Sequence, residues 1–93
     1  RYVFMATVFP FFILEMKNMN KELVQIGENI RQCRKNRGCT QEQLAEKIDV
    51  STITISRIEN GENAMNILTF CEIMRCLDAS PEELLKINMF DMH

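Results

Sequence analysis

Two short helical segments lie so close together between residues 40 and 60 that only three or four residues separate them. Thr40 followed by Gln43 predicts the start of the first helix, because these residue types at this spacing form a capping box. Ser51 is the expected cap of the second segment, and Asn60-Gly61 is its expected end. Asp49 suits the turn because aspartate tolerates the left-handed conformation. Two helices joined in this way form a helix-turn-helix unit.

Three further helices are predicted around this pair. The first shows apolar residues at helical spacing from residue 23 and ends at Gly38, the fourth begins after Asn66 and ends at Asp78, and Ser80-Pro81 starts the fifth. The residues expected in the core are Leu23, Ile26, Ile30, Cys33, Leu44, Ala45, Ile48, Ile55, Ile58, Ile67, Phe70, Ile73, Met74, Leu77, Leu84, Leu85 and Ile87. The predicted fold is therefore all-α, with five helices.

The chain has 93 residues, enough for one compact domain. We expect an apolar N-terminal extension over residues 1–22, the helical domain over residues 23–88 and a short tail over residues 89–93.

The N-terminal extension is unusually apolar. Residues 2–14 include four phenylalanines, but the run is interrupted by Pro10 and is too short to span a membrane. It also lacks the cleavage site of a signal peptide. Three interpretations stay open: upstream or vector-derived sequence before a start at Met16 or Met19, an arm buried against a partner subunit, and a membrane-interacting segment.

Charge is distributed unevenly along the chain. The net charge is −2, yet residues 24–61 hold six basic and five acidic side chains, whereas residues 62–93 hold two basic and six acidic ones. The basic residues concentrate between Arg31 and Arg37. A local basic patch, rather than the total charge, steers a polyanion toward a protein surface.

No chemistry of catalysis or metal binding is apparent. The four cysteines form no C-x-x-C pair, and the single histidine is His93, so no metal-ligand set is present in the sequence. The cysteines are expected to be reduced thiols. No catalytic constellation or phosphate-binding glycine loop is found either. We therefore expect a protein that is not an enzyme and needs no cofactor.

The motif residues resemble the lambda-repressor/Cro type of helix-turn-helix, the XRE family. They read IRQCR from Ile30 to Arg34, TQEQLA from Thr40 to Ala45, VSTITISRIENG from Val50 to Gly61, and LDASPEELL from Leu77 to Leu85. The resemblance covers about two-thirds of the chain. It implies a lambda-repressor-like domain in a cytoplasmic protein that acts as a homodimer on double-stranded DNA.

The resemblance also implies roles for eight residues. Gln41 would bind a phosphate at the N-terminus of the second helix. Four side chains of the third helix would point toward base edges: Thr52, Ile53, Ser56 and Arg57. Ser51 and Asn60 would contact the DNA backbone, and Arg34 of the first helix would face phosphate. Two interpretations stay open for the neighbouring Arg31 and Lys35, which either face phosphate or are simply solvated. Arg34 is also expected to pair with Glu59.

Three positions depart from the family pattern. Asp49 and Asp78 stand where glycine is usual, and Ile53 replaces a residue that is more often polar. An exposed isoleucine on a recognition helix contacts a thymine methyl group, lies idle on the surface, or packs in a partner interface. Arg57 is the candidate for bidentate contact with guanine.

The leading hypothesis is a sequence-specific transcriptional repressor that blocks a palindromic operator. Two other hypotheses stay open. The first is an antitoxin that uses the same fold and binds a toxin through the N-terminal run or the tail. The second is a protein-interaction module that has lost DNA binding, which the acidic total and Ile53 would favour.

Overall fold

The computed structural model describes residues 20–87, and within that range the chain is helical without strands. Its five α-helices are α1 (Lys21–Asn36), α2 (Gln41–Ile48), α3 (Thr52–Glu59), α4 (Ile67–Leu77) and α5 (Pro81–Leu84). The predicted all-α, five-helix fold is confirmed. The predicted N-terminal extension, apart from residues 20–22, and the predicted C-terminal tail lie outside the described residues.

Each helix begins at a residue whose side chain caps it. The capping box at Thr40 is present, since its hydroxyl accepts the Gln43 N–H at 3.0 Å and its own N–H donates to the Gln43 side chain at 2.9 Å. The other predicted caps also accept an N–H three residues on; they are Ser51, Asn66 and Ser80. These caps satisfy N–H groups that a helix leaves without partners.

The first helix starts earlier than expected. Asn20 caps it by accepting the N–H groups of Glu22 and Leu23 at 2.9 and 3.2 Å. Helix α1 therefore begins at Lys21, two residues before the predicted domain boundary at residue 23. The apolar repeat used for the prediction starts only at Leu23, whereas the first residues of α1 are polar, so the repeat does not reveal where the helix begins.

The turns adopt the backbone conformations that the sequence predicts. Asp49 and Asp78 have φ values of 58° and 52°, in the left-handed region where glycine is usual. Gly38 and Gly61 also have positive φ, just after α1 and α3. Aspartate at the two other ends therefore terminates α2 and α4 without a glycine.

The core lies where α2 packs against α3 and α4, and where α1 packs against α3 and α5. Its fully buried apolar side chains are Ile30, Leu44, Ile55, Ile73, Leu77 and Leu84. Two core predictions are wrong, because Ile67 is 71% exposed and Leu85 is 45% exposed. Ile67 is the first residue of α4, and side chains there point back past the packed part of a helix. Leu85 follows the end of α5, on a different side from buried Leu84.

Helix α1 fastens the C-terminal end of the domain. The Asn29 side-chain amide donates to the carbonyl oxygens of Leu84 and Lys86 at 2.9 and 2.7 Å. Arg37, at the other end of α1, donates to the Asp78 carbonyl oxygen at 3.0 Å and forms an ion pair with Glu83. These bonds hold α5 and the turn before it against α1.

The four cysteines are free thiols. Cys33 is buried, whereas Cys39, Cys71 and Cys76 are half-buried. Burial, followed by the nearby Glu83 carboxylate, raises the pKa of the Cys33 thiol. Burial also raises the pKa of Cys76. Both groups therefore stay protonated at neutral pH, which is typical of inert structural cysteines.

Between residues 20 and 87, no helix combines the length and the apolar character that crossing a bilayer requires.

Helices α1 and α3 approach each other closely at Gly27. A Cβ atom added there would lie 2.6 Å from the Glu59 carbonyl oxygen and would also overlap the Ile58 carbonyl oxygen. Both atoms belong to backbone at the end of α3, which cannot rotate aside. The glycine therefore sets the distance between α1 and the end of α3.

We expect Gly27→Ala to lower the free energy of unfolding by about 1–3 kcal/mol, the usual cost of overpacking. Urea unfolding followed by circular dichroism measures it. Lys35→Ala, an exposed change in the same helix, is the matched control and should shift stability by less than about 0.5 kcal/mol. Alanine is the better helix former, so a more stable Gly27→Ala protein would contradict the close approach.

Candidate nucleic-acid interface

Helix α3 has one buried and one exposed face. Ile55 and Ile58 are buried in the core, whereas Ile53 is 63% exposed and Arg57 is also exposed. The exposed face is completed by Thr52, which is exposed, and Ser56, which is half-buried. The four predicted base-facing side chains therefore share the outer side of one short helix.

These four side chains are not engaged elsewhere in the described part of the chain. None of Thr52, Ser56 and Arg57 forms a side-chain hydrogen bond or ion pair with another residue between 20 and 87. The only acidic residue of α3 is Glu59, and it is buried. The outer face of α3 is thus free to donate hydrogen bonds and carries no carboxylate that would repel an anion.

The two predicted backbone-contacting residues lie at opposite ends of α3. The Ser51 hydroxyl accepts the Thr54 N–H at 3.1 Å and lies 2.8 Å from the Thr54 hydroxyl. Asn60 is the C-cap; its side chain accepts from Arg31 and donates to Glu62. Both side chains are exposed, and both are already fixed by intramolecular bonds.

A buried carboxylate, Glu59, joins three helices. Its side chain is fully buried and accepts from Arg34 Nε at 2.7 Å and from Arg34 Nη2 at 3.2 Å. It also accepts from Gln41 Nε2 at 2.9 Å and from Arg31 Nε at 3.5 Å. Because a buried charge is costly unless it is paired and hydrogen-bonded, this complete set of donors is what makes the position of Glu59 tenable.

The predicted Arg34–Glu59 pair is therefore present, but the expected contact of Arg34 with phosphate is not supported. The remaining guanidinium nitrogen, Nη1, donates to the Cys39 carbonyl oxygen at 2.8 Å, and the residue is 8% exposed. All three nitrogens are bonded within the protein. We assign Arg34 a structural role, in which it joins α1 to the turn before α2 and to the end of α3.

The N-terminus of α2 keeps its backbone donors. The Gln41 side chain is held by Glu59, whereas the N–H groups of Gln41 and Glu42 occupy the first turn, where a helix supplies no acceptors of its own. These N–H groups and the positive end of the helix dipole suit an anion. The phosphate contact expected of Gln41 thus falls to its backbone N–H.

The basic cluster of α1 is divided by its contacts. Arg31 is partly exposed and bonded to Glu28, Glu59 and Asn60. Lys35 is exposed and forms no ion pair among residues 20–87. The structure brings Arg31, Arg34, Gln41 and Asn60 together around Glu59 and leaves Lys35 apart from them.

The sequence predicted the pair of Glu59 with Arg34 but not the bonds of Glu59 to Arg31 and Gln41. One signal was available: Glu59 continues the buried stripe of Ile55 and Ile58 on α3. A carboxylate on such a stripe needs several donors, and Arg31 lies one turn from Arg34 on α1.

The family model for the helix-turn-helix, HTH_3, matches residues 30–84. The chain belongs to this XRE-type helix-turn-helix family. The matched region runs from the second half of α1 to the end of α5, so it includes every element of the site described above. The family and the fold are those of DNA-binding regulators rather than of enzymes.

Two curated relatives carry related sequences. The chain is 34% identical over 56 residues to the antitoxin HipB of Escherichia coli O6:H1 (strain CFT073), a stretch that covers 60% of each protein. It is 32% identical over 60 residues to the HTH-type transcriptional regulator YqaE of Bacillus subtilis (strain 168), covering 64% of this chain and 52% of YqaE. The helix-turn-helix chain thus matches little more than half the length of these relatives.

A solved structure has a similar fold. The restriction-modification controller protein C.AhdI from Aeromonas hydrophila superimposes with a TM-score of 0.66 at 26% identity. The match covers 70% of this chain and 98% of the controller. The lambda-repressor-like fold expected from the motifs is therefore confirmed.

We expect Glu59→Gln to lower the free energy of unfolding by about 3 kcal/mol, because it leaves the buried Arg34 guanidinium without a countercharge. Urea unfolding measures the loss. Glu28→Gln is the matched control: Glu28 pairs with Arg31 at 3.3 Å at a partly exposed position, so less than about 1 kcal/mol should be lost. Equal losses in the two variants would show that the buried network stabilises the domain no more than a partly exposed ion pair does.

Proposed function

We propose that the protein is a sequence-specific transcriptional regulator that acts in the cytoplasm and inserts α3 into the major groove of DNA. The observation that carries this proposal is the exposed face of α3, where the side chains of Thr52, Ser56 and Arg57 form no hydrogen bond or ion pair with other described residues. A helix-turn-helix protein uses the N-terminal residues of its second helix to contact base edges. In this chain Thr52 and Ile53 are the first residues of α3, and Ser56 and Arg57 lie one turn further along the same face.

Contacts to phosphate would set the orientation of α3 in the groove. The candidates are the backbone N–H of Gln41 at the start of α2, the Ser51 hydroxyl and the Asn60 side chain at the two ends of α3, and the exposed Lys35. Such contacts position a protein on the duplex without reading its sequence. Arg31, which is partly exposed beside Asn60, would add positive charge at the end of α3.

A homodimer on a palindromic operator is the proposed working form. Two copies of α3 would then be about 34–36 Å apart, one turn of the duplex, so that both enter the major groove on the same side. Repression follows if the dimer covers a promoter and excludes polymerase. Affinity should fall steeply with salt, because each phosphate contact releases counterions.

An antitoxin role is the second candidate, and the similarity to HipB favours it. In that case the same DNA-binding surface would regulate an operon while another surface binds a toxin. Co-expression with the product of the adjacent reading frame distinguishes the two roles. Growth arrest by that product, relieved by this chain through a stable complex, would establish the antitoxin; growth without arrest would leave the regulator alone.

We expect Arg57→Ala to weaken binding to an operator selected from random duplexes by about 5- to 150-fold, because one good base contact is lost. Fluorescence anisotropy with labelled duplexes measures the dissociation constants. Arg75→Ala removes the same charge from the exposed face of α4 and should change affinity much less.

The sequence dependence of the loss identifies the kind of contact. Loss of a base contact lowers the affinity for the operator more than the affinity for random DNA, whereas loss of a phosphate contact lowers both affinities equally. Unchanged affinity of Arg57→Ala for both duplexes would contradict the proposed orientation of α3. It would favour a protein-interaction module that has lost DNA binding.

A further inference from the structure

We propose that α3 reads thymine and guanine, with Ile53 packing against a thymine methyl group one or two base pairs from a guanine bound by Arg57. This inference rests on the proposed function, since it requires α3 to lie in the major groove. It goes further by assigning the bases that the groove must present. Ile53 becomes a specificity-determining residue rather than an idle surface side chain.

The exposed face of α3 lacks the side-chain types that best distinguish the other two bases. Adenine is read by paired donor and acceptor groups of Asn or Gln, and cytosine by the acceptors of Asp or Glu. The outward side chains of α3 include none of these. Its one carboxylate, on Glu59, is buried and bonded to Arg34 and Gln41.

The side-chain amides next to α3 already have hydrogen-bond partners within the protein. The Gln41 side chain donates to Glu59, and the Asn60 side chain is bonded on both sides, to Arg31 and to Glu62. What remains is one guanidinium, two small hydroxyls and one branched apolar side chain. Arginine pairs with guanine and apolar carbon contacts the thymine methyl, whereas Ser and Thr hydroxyls bond either kind of base edge.

The surroundings of Ile53 favour a small apolar ligand over a protein partner. Ile53 is 63% exposed, whereas the other isoleucines of α3, Ile55 and Ile58, are 0% and 3% exposed. Its neighbours on the exposed face of α3, Thr52, Ser56 and Arg57, are polar. Interfaces between proteins use contiguous apolar patches, so a lone isoleucine among polar groups fits a single methyl group better.

The spacing of Ile53 and Arg57 sets the distance between the two bases. Residues four apart share one face of a helix, and the rise between them is about 6 Å. Successive base pairs are about 3.4 Å apart along the duplex. The two side chains therefore reach base pairs that are neighbours or next neighbours, and the guanine and the thymine belong to one half-site.

The test removes the methyl group and nothing else from the DNA. The operator is first selected from random duplexes, and each thymine of the half-site is then replaced in turn by deoxyuridine, which pairs identically but lacks the 5-methyl group. Dissociation constants are measured by fluorescence anisotropy for the unaltered protein, for Ile53→Ala and for Ile67→Ala. Ile67 is the matched control because it is an exposed isoleucine on α4.

We expect deoxyuridine at one position to weaken binding of the unaltered protein about fourfold, the factor for burial of one methyl group. Ile67→Ala should show the same fourfold change. Ile53→Ala should lose most of this fourfold difference, because the shorter side chain no longer reaches the methyl group. The selected half-site should contain a guanine within two base pairs of that thymine.

Two results overturn the proposal and separate it from the proposed function. If an operator is selected but no deoxyuridine weakens binding of the unaltered protein, Ile53 does not read a methyl group, while groove binding stands. If no duplex is bound in preference to random DNA, both proposals fail. The deoxyuridine series uses the unaltered protein, so the conclusion does not depend on the folding of Ile53→Ala.

Discussion

The buried carboxylate of Glu59 is the interaction on which the arrangement of the helices depends. Its oxygens accept hydrogen bonds from Arg34 and Arg31 in α1 and from Gln41 at the start of α2, while its backbone ends α3. A carboxylate withdrawn from water needs these donors, so each helix is held where its donor must be. The network therefore joins the start of α2 and the middle of α1 to the end of α3.

This arrangement separates the groups that build the fold from those that face outward. The arginine best placed by sequence to meet phosphate, Arg34, is bonded within the protein at every nitrogen. The side chains of Thr52, Ser56 and Arg57 on the outer face of α3 have no such bonds within the described residues. The inner network holds the backbone of α3 in place beneath these side chains, and a backbone that is already held in place loses little freedom when it binds a partner.

Local signals predicted most of the fold. Caps such as Thr40 and Ser51, and the left-handed residues Asp49 and Asp78, act within a few residues, so the sequence alone locates them. The exposure of Ile67 and Leu85 was not predictable in this way, because helical spacing cannot tell where a neighbouring helix stops covering a face. The family motif likewise predicted the outward residues of α3 as candidates.

For the candidate site too, the sequence predicted local features but not those that depend on packing. The pair of Arg34 with Glu59 was predicted, but its burial was not. That burial, which gives Arg34 a structural role, depends on the close approach of α1 and α3 at Gly27. The bond from Gln41 to the same carboxylate depends on three helices at once. Contacts of this kind arise from packing and leave no periodic trace in the chain.

The side-chain caps at the five helix starts have a kinetic consequence. Each cap bond closes a loop of only two or three residues, and the αL residues at Asp49 and Asp78 end their helices just as locally. Chains whose contacts are mostly local reach the native state in microseconds to milliseconds, because little loop entropy is lost before contacts form. Such a chain exposes its apolar residues only briefly after synthesis, which limits its time in aggregation-prone states.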